Sequence, residues 1–151
     1  MLSASLLAAV GASLWAQPGG ILTVAAPPKT AVVRNAEAEV KLSVRLRGGY
    51  HVNSNAPADE YLIPMALTWN PSSLRVLEIL YPKGKMETYS FSSKPLSVYT
   101  GNFEILTRFH VPPQSAPGAS VVTGKLRYQA CTTSMCLPPR TVEVKLPVEI
   151  R

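Results

Sequence analysis

"EVKLSVRLRG", residues 39–48, alternates without a break. Val40, Leu42, Val44 and Leu46 fall on one side, and Lys41, Ser43, Arg45 and Arg47 on the other. A repeat of two is the spacing of a strand with one face in a core and one in water. A helix would bring apolar residues round every three to four positions instead.

The same pattern extends in both directions from this stretch. "YLIPMALTW" alternates Tyr61, Ile63, Met65, Leu67 and Trp69, and "FEILTRFHV" gives Phe103, Ile105, Phe109 and Val111. "ASVVTGKLRYQAC" gives Val122, Leu126 and Tyr128, and "TVEVKLPVEI" gives Val142, Val144, Leu146, Val148 and Ile150. Turn sequences lie between the runs: "RGG", "NPSS", "YPKGK", "YTGN" and "VPPQSAPG". Fourteen prolines and nine glycines fit many turns and few long helices. The fold class expected is all-β, an antiparallel β-sandwich of short strands. At 151 residues and 46% hydrophobic content, one domain can build its core without covalent staples.

One stretch breaks the alternation. "KGKMETYSFSSKPLSVY", residues 83–99, is polar with isolated aromatics and reads as a long lid-like loop. Loops longer than about 12–15 residues are more often functional than not.

Residues 1–17, "MLSASLLAAVGASLWAQ", carry no charge, and the first charged side chain is Lys29. This is the apolar region of a secretory signal, or an N-terminal anchor if it is not cleaved. Residues 18–28 read as a Gly/Pro-rich connector, and residues 29–151 as the folded domain. Export places the cysteines where a disulfide can persist. The net charge of +6 comes from Lys and Arg spread singly over solvent positions, with no basic run, which argues against nucleic-acid binding.

The chain has two cysteines, Cys131 and Cys136, five positions apart in "YQACTTSMCLPP". Three uses are open. As a staple, a loop of about six residues contributes about 2 kcal/mol, against about 4.7 for a loop of 100. As a metal site, two cysteines fall short of the four ligands of structural zinc; His51 and His110 would have to complete the set, or Met135 could join a copper(I) site. As a redox pair, the spacing differs from Cys-x-x-Cys, and Pro138 and Pro139 rule out a following helix to lower a thiol pKa. One thiol could still form a mixed disulfide that the other resolves.

Four stretches, "GGYHVNSNAPADEYLIPMALTW", "YPKGK", "PLSVYTG" and "LRYQACTTSMCLPP", resemble the N-terminal periplasmic domain of the thiol:disulfide interchange protein DsbD. The likeness covers residues 25–151 and is most specific at Tyr128-Gln129-x-Cys131 and Cys136-x-Pro138-Pro139. It implies an immunoglobulin-like sandwich with a redox-active disulfide on one hairpin, acting as part of a thiol:disulfide oxidoreductase without metal or organic cofactor. It implies periplasmic, thioredoxin-like partners. Electrons come from one fed by a membrane transporter; they go to disulfide isomerases and cytochrome c maturation thioredoxins. Carried onto this chain, Cys131 and Cys136 are the exchanging pair, with Cys136 favoured for the mixed disulfide. The cap falls in residues 86–92, with Tyr89 or Phe91 as its shield, and Tyr50 and His51 line the site. Tyr50 alone reads as a core residue, and His51 equally as a surface one.

The cysteines stand one residue closer than in typical members, and the cap segment is longer. If the chain ending at Arg151 is a whole gene product, the electron donor is expected in trans. The competing reading is a non-enzymatic immunoglobulin-like interaction domain braced by a structural hairpin disulfide.

Overall fold

The structure is a computed structural model and describes residues 20–151. The expected signal at residues 1–17 lies outside them. Every regular element among the described residues is a strand. The chain forms an immunoglobulin-like β-sandwich whose two main sheets are joined, at one end, by a smaller third.

In the first sheet, β3 (Ala36–Leu46) lies between β1 (Leu22–Val24) and β9 (Asn102–Val111), and β6 (Arg75–Leu80) closes the far edge. In the second, β12 (Arg140–Ile150) lies between β2 (Thr30–Val32) and β10 (Gly118–Tyr128), and β5 (Ala66–Trp69) forms the other edge. All neighbours are antiparallel except β2 and β12, which run parallel. The alternation in the sequence is what packs them. Val40, Leu42, Val44 and Leu46 are buried from the first sheet, and Val122, Leu126, Val144, Leu146 and Val148 from the second. Fully burying such a side chain stabilises by about 1.5–3 kcal/mol. Trp69 ties the sheets together: its indole N–H donates to Thr107 Oγ1 at 3.0 Å, and its ring meets Phe109 edge-on at 5.3 Å.

The third sheet has the order β11 (Ala130–Cys131), β4 (His51–Asn53), β8 (Leu96–Tyr99), β7 (Lys85–Glu87). Three of its strands grow out of the sandwich: β4 follows β3, β8 leads into β9, and β11 follows β10. Gly49 makes the first of these junctions at φ +84°, a backbone angle that disfavours any residue with a Cβ. Three strands of the small sheet thus connect directly to strands of the sandwich.

Three local expectations differ from what is seen. The stretch 83–99 is not one loop: its ends pair as β7 and β8, from Lys85↔Val98 to Glu87↔Leu96, and only the connection between them is irregular. These strands are too short to show a period. The run from Tyr61 enters the sheet only at Ala66, and Tyr61 itself is 86% exposed. Within residues 18–28, Leu22–Val24 forms β1 and buries Leu22 against the core, so this part is a strand rather than free connector.

Candidate functional site

The strands β10 and β12 pair from Gly118↔Ile150 up to Tyr128↔Arg140. Beyond that point the chain continues as a tighter hairpin. Leu137 N–H donates to Ala130 O at 2.8 Å, and Thr132 N–H to Met135 O at 2.7 Å. Cys131 and Cys136 face each other between these two bonds, Cα atoms 3.9 Å apart, and are joined as a disulfide. That is the type of position where side chains of antiparallel strands come closest. Thr132 shapes the turn, its Oγ1 accepting from the N–H groups of Ser134 and Met135. Pro138 and Pro139 have no N–H to donate, so ladder pairing lapses until Arg140.

Gln129 fixes the base of this hairpin. Its Oε1 accepts from Asn53 Nδ2 at 3.1 Å and from Ile63 N–H at 3.4 Å, while its Nε2 donates to Leu137 O at 3.3 Å. One amide thus ties β4, the strand-free segment before β5 and the outgoing hairpin arm. This accounts physically for the Gln of the Tyr-Gln-x-Cys motif.

The first hairpin arm joins the third sheet, Ala130 opposite Val52 and Cys131 opposite His51. Cys136, Cys131 and His51 therefore form one row across three adjacent chain segments, on a common face. His51 is 3% exposed, which settles its sequence reading against the surface, and its Nε2 has no hydrogen-bond partner. The ring of Tyr89 lies on it, with centroids 3.8 Å apart and planes 15° from parallel. Phe91 lies parallel beside Tyr89 at 5.5 Å. The Tyr89 hydroxyl donates to Glu87, and Ser90 Oγ donates to Thr133 O at 3.2 Å, linking the β7–β8 connection to the cysteine turn. Burial holds the His51 pKa below its ordinary value, with the Glu87 carboxylate acting against it. Burial and the bond to Glu87 push the Tyr89 hydroxyl well above the ordinary range. Tyr50 is half-buried, packs on the core and lines a cleft of about 310 Å³ shared with His51, Glu87 and Tyr89. His110 lies in β9, opposite Glu37 and Arg75, and is not brought to the cysteines.

The family described as "Thiol:disulfide interchange protein DsbD, N-terminal" matches residues 23–147. The chain belongs to this family. As a DsbD N-terminal domain with its cysteines bridged, it is a thiol–disulfide exchange domain. DsbD N-terminal domains are periplasmic, and no helix among the described residues is long and apolar enough to cross a membrane.

The N-terminal periplasmic domain of ScsB from Proteus mirabilis matches with a TM-score of 0.53 at 13% identity, over 83% of this chain. At that identity the match shows the fold alone. The chain spans 44% of that ScsB structure. A PapD-like domain of human CEP192 (TM-score 0.38, 11% identity, 100% of this chain and 97% of that one) is too distant to carry an argument. No curated protein sequence matches the chain.

Within the DsbD N-terminal domain the two sulfurs are unequal. Cys131 is fully buried and Cys136 is partly exposed. Met135, beside Cys136 in the turn, and Phe91, in the β7–β8 connection, are exposed apolar side chains. Of the two cysteines, Cys136 is the one with surface open to solvent. Sequence reasoning passed over Gln129, Asn53 and Glu87. Gln129 was visible as part of the motif, but its bonds span up to 76 residues and no local pattern announces them.

Proposed function

We propose that the domain relays two electrons between thioredoxin-like proteins of the periplasm, by thiol–disulfide exchange at Cys131 and Cys136. The observation that carries this reading is the unequal access to the two cysteines beside a layer of stacked aromatic rings. A donor thiolate attacks Cys136 Sγ, and Cys131 leaves as the thiolate and takes up a proton. The donor's second thiol then displaces Cys136, so the donor is oxidised and the domain holds two thiols. The acceptor step is the reverse: Cys136 attacks the acceptor disulfide, and Cys131 displaces the acceptor from the mixed disulfide.

Residues 86–92 serve as the cap in this reading, with Tyr89 and Phe91 as the shield and Tyr50 and His51 lining the site. Covering the sulfurs slows reaction with stray thiols and oxidants without altering the equilibrium potential. Residues 1–17 direct export or hold the chain at the membrane. The donor is a thioredoxin-like protein served by a membrane electron transporter in trans. The acceptors are periplasmic thioredoxin-fold proteins, among them those of disulfide isomerisation and cytochrome c maturation. No metal or organic cofactor takes part.

The test is the reduction potential of the pair, equilibrated against glutathione or dithiothreitol with thiol trapping. A relay requires a value of about −270 to −180 mV. A value well below about −300 mV would make the bridge structural and the domain a non-enzymatic interaction module.

A further inference from the structure

We infer that His51 is the proton carrier for Cys131, accepting the thiol proton as Cys131 attacks and returning it when Cys131 leaves. The inference rests on the exchange reading above and adds to it the group that manages the buried sulfur.

Three observations meet at this residue. His51 is the cross-strand partner of Cys131, and directly opposed residues on one sheet face have Cβ atoms about 4.5–5.5 Å apart. Its Nε2 is buried and has no partner while the disulfide is closed. A buried polar atom left unpaired costs about 1–3 kcal/mol, so its retention beside a reactive sulfur calls for a use. His51 also lines the cleft that it shares with Tyr50 and Thr100. It therefore borders both the row that holds Cys131 and the cleft.

The need follows from the burial of Cys131. Only a thiolate attacks a disulfide, and a fully buried thiol resists ionisation. No carboxylate, lysine or second histidine shares its row across the sheet, which runs from Cys136 through Cys131 to His51. The other titratable or charged groups around His51 are Glu87 from β7, Tyr89 from the cap, and Arg47 and Tyr50 from the turn after β3. Glu87 favours the imidazolium that forms for a moment, and burial returns it to the neutral state.

The step balances as follows. Cys136 is held in a mixed disulfide with the partner. The Cys131 proton moves to Nε2 of an imidazole protonated at Nδ1, and Cys131 Sγ attacks Cys136 Sγ. The Cys131–Cys136 bond forms, the Cys136–partner bond breaks, and the partner departs as a thiolate carrying the electron pair. His51 then releases its proton through the cleft. In the opposite direction, His51 as imidazolium protonates Cys131 as it is displaced.

The experiment uses the reduced domain and dithiobis(nitrobenzoate), a chromogenic disulfide that needs no physiological partner. Attack by Cys136 releases the first thionitrobenzoate, and attack by Cys131 on the mixed disulfide releases the second. In His51→Gln and His51→Phe the first phase keeps its rate, while the second slows on the order of tenfold or more. The second phase of the parent protein rises with pH through the lowered His51 pKa, below about pH 6.5, and then levels. In both variants the levelling is lost and the rate keeps climbing with pH as the Cys131 thiol itself ionises. His51→Phe keeps a ring against Tyr89, so a fold defect and a proton defect separate. A second phase as fast in His51→Phe as in the parent overturns the inference. So does equal slowing of both phases, which marks a structural role. The two-phase result does not depend on the reduction potential, so failure of the relay reading and failure of this inference are read from separate measurements.

Discussion

The Tyr89 ring covers the His51 imidazole at 3.8 Å, and its hydroxyl is anchored on Glu87 two residues earlier. The ring is thus held on one side by the last residue of β7 and packed on the other against β4, the strand that pairs with Cys131.

Tyr89→Ala removes the stack and the bond to Glu87. A stacked aromatic pair is worth about 0.5–1.5 kcal/mol, which in the closed state of the cap converts to about two- to tenfold in accessibility. The disulfide should be reduced by dithiothreitol faster by that factor, with its equilibrium potential unchanged. Equal rates in variant and parent would show that Tyr89 shields nothing.

Burial lowers the His51 pKa from its ordinary 6.5 in the folded state. The unfolded chain then binds the proton more readily, and stability rises with pH wherever that is so. The His51 contribution is complete above about pH 6.5 and is lost as pH falls from there through the folded value. Melting temperatures followed from pH 8 to pH 5 should show a decline that His51→Phe lacks, within the histidine range. Glu87→Gln removes the carboxylate that opposes the shift, so the His51 pKa, read by NMR, should drop further.

Gln129→Leu leaves Asn53 Nδ2, Ile63 N–H and Leu137 O without their shared partner. Losses of this type cost about 1–3 kcal/mol when the groups cannot reach water. Urea denaturation should show a lower midpoint with a similar slope. An unchanged midpoint would mean that solvent replaces the amide, and that the hairpin base is looser than its geometry.

Gly124→Ala has a sign opposite to the usual one. Replacing a strand glycine normally stabilises by about 0.5–1 kcal/mol. At Gly124 a Cβ would lie 2.8 Å from Trp69 Cε3 and 2.9 Å from the Thr68 carbonyl oxygen. The edge strand β5 would have to move, at a cost of about 1–3 kcal/mol. A melting temperature at or above that of the parent would refute the close approach.

The parts of this fold that could be read from sequence are those with a long enough repeat. The ten or eleven residues each of β3, β9, β10 and β12 alternate between core and water, and their buried faces are the ones the pattern marks. The third sheet gave no such signal. Its strands have two to four residues, and in β4 all three, His51, Val52 and Asn53, are buried, so no alternation exists to detect. Of the residues expected at the site, Cys131 and Cys136 stood out as the two cysteines of the chain, while Tyr89, Phe91, Tyr50 and His51 were given their site roles through family likeness rather than through any period. What that likeness did not disclose was the row from Cys136 to His51, because cross-strand register is a property of the folded sheet.

The sheets of the sandwich are held by the Trp69–Thr107 bond and by apolar packing; no covalent link crosses between them. The single disulfide closes a short loop at one tip. Assembly of the domain therefore does not wait for oxidation: a chain emerging with both thiols free can complete its architecture first and acquire its bridge afterwards.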